Sequence, residues 1–251
     1  MPKSWIRHAF DRGILTSRYP AEPDREEELP LLGHAVAPSE GIPTAGIPCP
    51  TAAISAEGVD QGRCVRCARC FAHGFRPVGG AEASAGTRSS LRWPGGHRDL
   101  SREGSAPAPL PAFARSLHLF LIDVGSCQAC NYETLQLANP YYDLHRLGLF
   151  FTNSPRQADV LIVVGVPTPA MAEPLRRTYE AIPDPKAVLA VGACAIDGGL
   201  FEDEGRPESR VAAIVPVDRY VAGCPPPPLA ILEGLLEIGG RGRDRRGGRA
   251  R

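Results

Sequence analysis

The chain has 251 residues, enough for one ordinary domain with a smaller module or for two small domains. Its formal net charge is zero, so its composition gives no reason to expect a nucleic-acid partner or attraction to an anionic membrane. Its eight cysteines occur in a sequence whose apolar runs are too short for a signal-peptide core or a membrane span. This predicts a cytoplasmic protein, in which paired cysteines usually serve metal or redox chemistry.

The first predicted element is a helix over residues 5–14. Its apolar residues are spaced to form one stripe: Trp5, Ile6, Ala9, Phe10 and Ile14. Docking of this stripe on a partner subunit is the preferred interpretation. A position in a membrane interface is the alternative.

A first group of cysteines lies in residues 1–77, which we predict to form a small module. Cys64, Cys67 and Cys70 have CxxCxxC spacing, and Cys49 stands upstream in a Cys-Pro pair. In two-cluster ferredoxins each half reads CxxCxxCxxxCP, and the last cysteine of one half binds the other half's cluster. Cys49 and Pro50 match the end of a first half whose three leading cysteines are absent, and the second half has Gly74 where its own Cys-Pro should begin. The four cysteines that are present are therefore a complete ligand set for one 4Fe–4S cluster. A remnant without metal is the alternative; His73 lies where a substitute ligand could sit, although we interpret it as an exposed loop residue.

Composition sets two further segments apart. Residues 78–112 are rich in Gly, Ala, Ser, Arg and Pro and show no apolar period, which predicts a flexible linker. The tail, residues 239–251, is mostly Gly and Arg and is predicted to be disordered.

Residues 113–238 alternate between strand and helix patterns. Short apolar runs predict strands at 117–124, 159–165, 187–192 and 211–217. Helices are predicted at 169–182, with Thr168 as N-cap, at 228–238, and at 132–147 with an interruption at Pro140. This alternation predicts a parallel sheet with helices on both faces.

The second group of cysteines follows these predicted strands. Cys127 and Cys130 come after the first strand, Cys194 after the third and Cys224 after the fourth. Ligands of open parallel sheets bind outside the carboxyl ends of the strands, so we expect four thiolates to converge there, the number that a 4Fe–4S cluster requires. Zinc and ordinary buried cysteines are the alternatives, although structural zinc sites usually use two CxxC motifs.

The motifs of this region carry a resemblance. CxxC after a strand, then GxC, then GCPPxP before a helix resemble the small subunit of energy-converting nickel–iron hydrogenase and formate hydrogenlyase, and the homologous 20-kDa subunit of NADH–quinone oxidoreductase. The resemblance covers residues 113–238. It implies a flavodoxin-like α/β fold, a proximal 4Fe–4S cluster and a catalytic large subunit as partner. The quinone oxidoreductase family usually has adjacent cysteines at the first position, so the spacing of Cys127 and Cys130 favours the hydrogenase branch. Asn131 departs from the acidic residue often found there, with Glu133 two positions later.

Residues 1–77, including the segment RGILTSRYPAEP, resemble the ferredoxin-like subunit found beside these hydrogenases. The chain is thus expected to be a fusion that relays electrons through two 4Fe–4S clusters. These would use all eight cysteines, so the catalytic metal centre is expected in another chain.

The expected partners are the catalytic large subunit and other redox or membrane subunits, which would bring the chain to a membrane. The sequence has no Gly-rich dinucleotide fingerprint, so neither NAD nor flavin is predicted. A quinone-reducing, complex I-like subunit and a non-enzymatic metal-binding scaffold are the alternative functions.

Overall fold

The computed structural model describes residues 13, 16–22, 35–78, 84–95, 113–201 and 209–241. The predicted helix at 5–14, apart from Gly13, lies outside this part of the chain, as do residues 242–251 of the predicted tail. None of the helices in the described ranges is both long enough and apolar enough to cross a membrane.

The first half of the chain forms two small antiparallel sheets. Its strands are β1 (Ala35–Pro38), β2 (Ile54–Ser55), β3 (Gly58–Asp60), β4 (Phe75–Val78), β5 (Ser84–Ala85) and β6 (Arg92–Pro94). β1 pairs with β4, and β3 lies between β2 and β6. Val36, Val59 and Phe75 form a small core together with Cys70. These sheets place the first group of cysteines against an apolar interior.

The second half is built on a larger sheet. Its strands are β7 (Leu117–Asp123), β8 (Leu149–Phe151), β9 (Val160–Val164), β10 (Ala187–Val191) and β11 (Arg219–Val221). These five strands are mutually parallel in the spatial order β8-β7-β9-β10-β11. Counted along the chain that order is 2-1-3-4-5, the order of flavodoxin. The predicted flavodoxin-like α/β fold is confirmed.

Helices cover both faces of this sheet. They are α1 (Ala129–Gln136), α2 (Pro169–Ala181), α3 (Ala193–Asp197) and α4 (Pro228–Ile238). One core packs α4 and Cys130 of α1 against alternate strand residues such as Leu119 and Ile162. The other packs α2 and α3 against the opposite set, which includes Leu161 and Val163. Because the central strands are buried on both faces, they read as continuous apolar runs.

One predicted strand of this half is wrong, and one predicted helix is shorter than expected, although it is interrupted around Pro140 as the sequence indicates. The run 211–217 is not a strand: it contains a 3-10 turn at Val211–Ala213, and Val211 and Val215 pack onto one face of the sheet. The strand that precedes Cys224 is instead the short β11, which begins after Pro216, a residue without a ladder N–H. The predicted helix at 132–147 is instead α1 followed by a 3-10 turn at Leu144–Leu147. Thr168 has the N-cap position of α2, but its side chain makes no capping hydrogen bond.

The prediction of a flexible linker over 78–112 is wrong for residues 84–95. β6 completes the three-stranded sheet of the first half, and β5 pairs antiparallel with β11 at the edge of the large sheet. Leu91 and Trp93 are buried, which ties this segment to the body of the protein. The abundance of Gly, Ser and Arg around them conceals these apolar residues in the sequence.

Candidate metal centre

The turns after β7, β10 and β11 bring the second group of cysteines together. Gly192 donates its N–H to Val221 O at 2.8 Å, and Ala193 donates to Gly223 O at 2.8 Å, which joins the turns after β10 and β11. Gly192 has φ +90°, and a Cβ there would lie 2.6 Å from Cys130 Sγ. The turn after β10 therefore passes directly against the first turn of α1.

The cysteines of this group also interact with one another electrostatically. Burial raises the pKa of Cys130, and thiolates at Cys194, Cys224 and Cys127 raise it further. The pKa of Cys194 is raised to about 11, chiefly by burial and then by Cys224 and Cys127. The pKa of Cys224 is also raised, by burial first. In the metal-free chain these thiols keep their protons, and bound iron would supply the positive charge that favours their thiolates.

A carboxylate organises the loop that carries Cys127. Asp123 Oδ1 accepts hydrogen bonds from the N–H groups of Gly125 and Ser126, at 2.9 and 2.8 Å. Its Oδ2 accepts from Ser126 Oγ, Gln128 Nε2 and Asn131 Nδ2, at 2.7 to 2.9 Å. The whole CxxC turn is thus folded around one side chain.

Asp123 organises the turn of the candidate site, and the sequence prediction missed it. Burial alone would raise its pKa, but the hydrogen bonds from Gly125, Ser126 and Asn131 outweigh burial and lower the pKa. Asn131 donates to this carboxylate, whereas an acidic residue there would repel it. Asn131, which departs from the family pattern, is therefore compatible with the carboxylate of Asp123 beside it. The available signal was the Asp at a strand end, followed by Gly and Ser, which is typical of side-chain-stabilised turns.

The first group of cysteines lines a cavity in the small module. Cys49, Cys64, Cys67 and Cys70 all border it, together with apolar residues of β1, β2 and β3. Ala53 donates its N–H to Cys49 Sγ at 3.3 Å. Burial, followed by the Cys64, Cys67 and Cys49 thiolates, raises the pKa of Cys70 to about 11. The structure thus brings this sequence-predicted set together around one space, whereas His73 is exposed.

The two groups of cysteines approach each other at one point. Cys224 of the second group interacts electrostatically with Cys64 of the first. Arg66, which lies between Cys64 and Cys67 in sequence, interacts with Cys64, Cys224 and Cys70. Thiols from both halves of the molecule therefore interact electrostatically with one guanidinium group.

The donor sets fit an iron–sulfur cluster. Within the described ranges, no three His, Cys, Asp or Glu side chains are grouped so that they could hold one metal ion. Each group of cysteines supplies four sulfur donors about a shared space, which is the donor number and type of a 4Fe–4S cluster. All eight cysteines are free of disulfide bonds.

Five parallel strands in the order of flavodoxin, with thiols gathered at their carboxyl ends, define a flavodoxin-like α/β domain with a cysteine site at the strand ends. Residues 127–238 match the family described as NADH ubiquinone oxidoreductase, 20 Kd subunit. The chain is 43% identical over 124 residues to an uncharacterized protein of Methanocaldococcus jannaschii, a match that covers 49% of this chain and 83% of that protein. It is 41% identical over 122 residues to a probable membrane-bound hydrogenase subunit of Pyrococcus furiosus, covering 49% of this chain and 73% of that subunit. The chain belongs to the NADH ubiquinone oxidoreductase 20 Kd subunit family.

Similar solved structures come from related complexes. A chain of the membrane-bound sulfane sulfur reductase, an archaeal respiratory membrane complex, is 34% identical with a TM-score of 0.45, covering 55% of this chain and 76% of its own. A chain of an NAD⁺-reducing NiFe-hydrogenase is 22% identical with a TM-score of 0.41, covering 51% of this chain and 94% of its own. The predicted resemblance of residues 113–238 to the 20-kDa and hydrogenase subunits is confirmed. The ferredoxin-like character of residues 1–77 stays a prediction.

Proposed function

We propose that this chain is an iron–sulfur electron-transfer subunit of a hydrogenase-type complex. Cys127, Cys130, Cys194 and Cys224 would hold one 4Fe–4S cluster, and Cys49, Cys64, Cys67 and Cys70 would hold a second. The observation that carries this proposal is geometric: the first group lines one cavity, and the turns that carry the second group meet at the strand ends beside Cys130. Cys224 and Cys64 also interact electrostatically, which links the two groups. Such a junction suits passage of electrons from one cluster to the next.

The small module would act as a one-cluster, ferredoxin-like entry or exit point. Its four thiols border one cavity. In the segment that follows the module, β6 pairs with β3 of the module and β5 pairs with β11 of the large sheet, so this segment ties the module to the second half. When bound, each cluster would accept and release single electrons. The chain's own residues would bind the irons through thiolate sulfur and fix the separation between the two sites.

A catalytic large subunit is the proposed partner of the second site. Tyr132 and Leu135 on α1, and Leu200 and Phe201 after α3, are more than half exposed. These apolar side chains follow the cysteines of α1 and α3 in sequence, so a partner covering them would lie next to the second cluster. With all eight cysteines used as cluster ligands, catalysis would belong to that partner. Through it and other membrane subunits, the chain would be held at a membrane peripherally.

A quinone-reducing, complex I-like role is the second candidate, and the matched family favours it. The CxxC spacing of Cys127 and Cys130 and the likeness to a probable hydrogenase subunit favour the hydrogenase branch. Purification of the native complex separates the two: hydrogen-linked activity supports the first role, and quinone-dependent activity without it supports the second.

Anaerobic reconstitution of the full chain tests the cluster assignment. We expect about eight irons and eight acid-labile sulfides per chain, because each cluster has four of each. Cys64→Ala and Cys194→Ala form a matched pair, since each is expected to lose the cluster of its own group while the other cluster's electron paramagnetic resonance signal persists. Zinc without sulfide would contradict the proposal and support a metal-binding scaffold. About four irons in the unaltered chain would leave one group without a cluster.

A further inference from the structure

Arg66 is a buried cation held in a fixed position. The residue is 7% exposed and has φ +56°, within the CxxCxxC turn. Its Nη1 donates a hydrogen bond to Oε1 of Gln61, which is fully buried. Gln61 is itself locked to the main chain of Val36, donating to its carbonyl at 2.7 Å and accepting from its N–H at 3.3 Å. The guanidinium therefore has little freedom to turn towards water.

The remaining donors of Arg66 are unsatisfied. Nε and Nη2 are buried and have no hydrogen-bond partner among the residues that the structure describes. An unpaired buried donor destabilises the fold, and more so when the group is charged. Arg66 interacts electrostatically with Cys64 and Cys70 of the first group and with Cys224 of the second, most strongly with Cys64. These donors thus lie where a group bound by the cysteines would supply acceptors.

The arginines near Arg66 differ from it because their positive charges are paired with carboxylates. Arg63 Nε lies 2.8 Å from Asp197 Oδ2. Arg88 Nη2 lies 2.8 Å from Asp60 Oδ2 and 3.4 Å from Asp197 Oδ2. In the described part of the chain, no salt bridge joins Arg66 to a carboxylate. Its charge is therefore available to the thiolates on either side of it.

We propose that Arg66 is a shared counter-ion of the two clusters, whose Nε and Nη2 donate hydrogen bonds to cluster-bound sulfur and whose charge raises both reduction potentials. Reduction adds one electron and one negative charge to a cluster without breaking a bond, and Arg66 keeps its protons throughout. A buried positive charge and N–H donors to sulfur both favour the reduced, more negative form. Because Arg66 interacts electrostatically with cysteines of both groups, it also weakens the repulsion that one reduced cluster exerts on the other. The inference rests on the proposed function.

Potentiometric titration followed by electron paramagnetic resonance tests this role on the full reconstituted chain. Arg66→Gln removes the charge, Arg66→Lys keeps the charge but loses the planar set of donors, and Arg76→Gln removes an exposed arginine of the same module as control. We expect Arg66→Gln to disfavour reduction of each cluster at least about tenfold, equal to about 59 mV for a one-electron couple. Arg66→Lys should shift both potentials the same way by less, and Arg76→Gln should leave both near their original values.

Iron and sulfide analysis of every variant separates the possible failures. If the unaltered chain holds no clusters, the proposed function fails and this inference fails with it. If Arg66→Gln keeps about eight irons but both potentials are unchanged, or if only one of them moves, the shared counter-ion is wrong while the proposed function stands. If Arg66→Gln loses iron from the first group, the potentials of Arg66→Lys test the inference instead. Unchanged potentials in Arg66→Lys overturn the inference, and a downward shift of both potentials supports it.

Discussion

The two cysteine groups are built in different ways. In the second half, the cysteines come from turns far apart in sequence, and a buried parallel sheet brings them together. In the first half, all four cysteines come from one segment, 49–70, which contains only the short strands β2 and β3. The second site is therefore a property of a whole domain, while the first is a property of a loop on a small support.

This difference predicts different sensitivities. Damage at the second site should reach the fold, because the turns that carry its cysteines also close the ends of the strands. Damage at the first site should stay local, because its cysteines share one cavity and few core contacts. The following predictions test that contrast, from the largest expected effect to the smallest.

Cys224→Ala, or equally Cys127→Ala, should abolish the activity of the assembled complex. The second cluster would lose a ligand, and it is the one nearest the proposed catalytic partner. Iron should fall to about four per chain while the signal of the first cluster persists. Hydrogen-linked turnover of the purified complex and metal analysis are the measurements. Full activity in either variant would remove the second cluster from the electron path.

Gly192→Ala should destroy the second site although it replaces none of the proposed ligands. The added Cβ would meet Cys130 Sγ at 2.6 Å, at a backbone φ of +90°. Strain of this kind costs roughly 1–3 kcal/mol before any clash is added, so urea unfolding should shift and iron should be lost from the second group. Gly46→Ala is the matched control, since φ is +77° there and nothing lies within 4 Å of the added atom. Equal effects of the two changes would show that contact with Cys130 is unimportant.

Cys49→Ala should alter the first cluster alone. A CxxCxxC segment supplies three thiolates, which leaves one iron without a protein ligand, and mild oxidation should yield a three-iron form. Electron paramagnetic resonance distinguishes this form, and the second cluster's signal should be unchanged. A persistent four-iron signal would mean that another group binds the fourth iron, and the Cys49→Ala/His73→Ala double variant would then identify or exclude His73.

Asp123→Asn should weaken the turn that carries Cys127 by roughly 1 kcal/mol, since the half-exposed carboxylate is partly screened by water. The pKa of Asp123 is lowered in the folded chain, so its contribution is full above its unfolded value of about 3.9 and is lost as pH falls through the folded value. Urea titrations of the metal-free chain between about pH 3 and pH 7 give the free energy of unfolding of the original and variant chains. The difference between the two free energies should become smaller as the pH falls. A gap that is constant with pH would assign the effect to shape and not to charge.

Much of the second half could be predicted from its residues. The long strands β7, β9 and β10 are apolar runs, and α4 is bounded by Pro228 and Gly239, so local pattern and final structure agree. The convergence of the turns after β10 and β11 follows from the rule that parallel strands share a carboxyl edge.

The rest depends on contacts between distant parts of the chain. β5 forms because Ser84 and Ala85 pair with β11, and the two residue types alone do not predict a strand. Asp123 reads as a turn residue, but Asn131 joins it only once α1 has formed. Arg66 resembles any other arginine of the sequence until burial and the neighbouring thiols distinguish it.

The pairing of β5 with β11 has a consequence for synthesis on the ribosome. β11 is the last strand of the large sheet to be made, and a newly made edge strand is a template for unwanted association with other chains. β5 precedes it by more than a hundred residues, so the cover for that edge is already present when β11 emerges. Separating the two modules into independent polypeptides at a point between β5 and β7 would remove this protection from the nascent sheet.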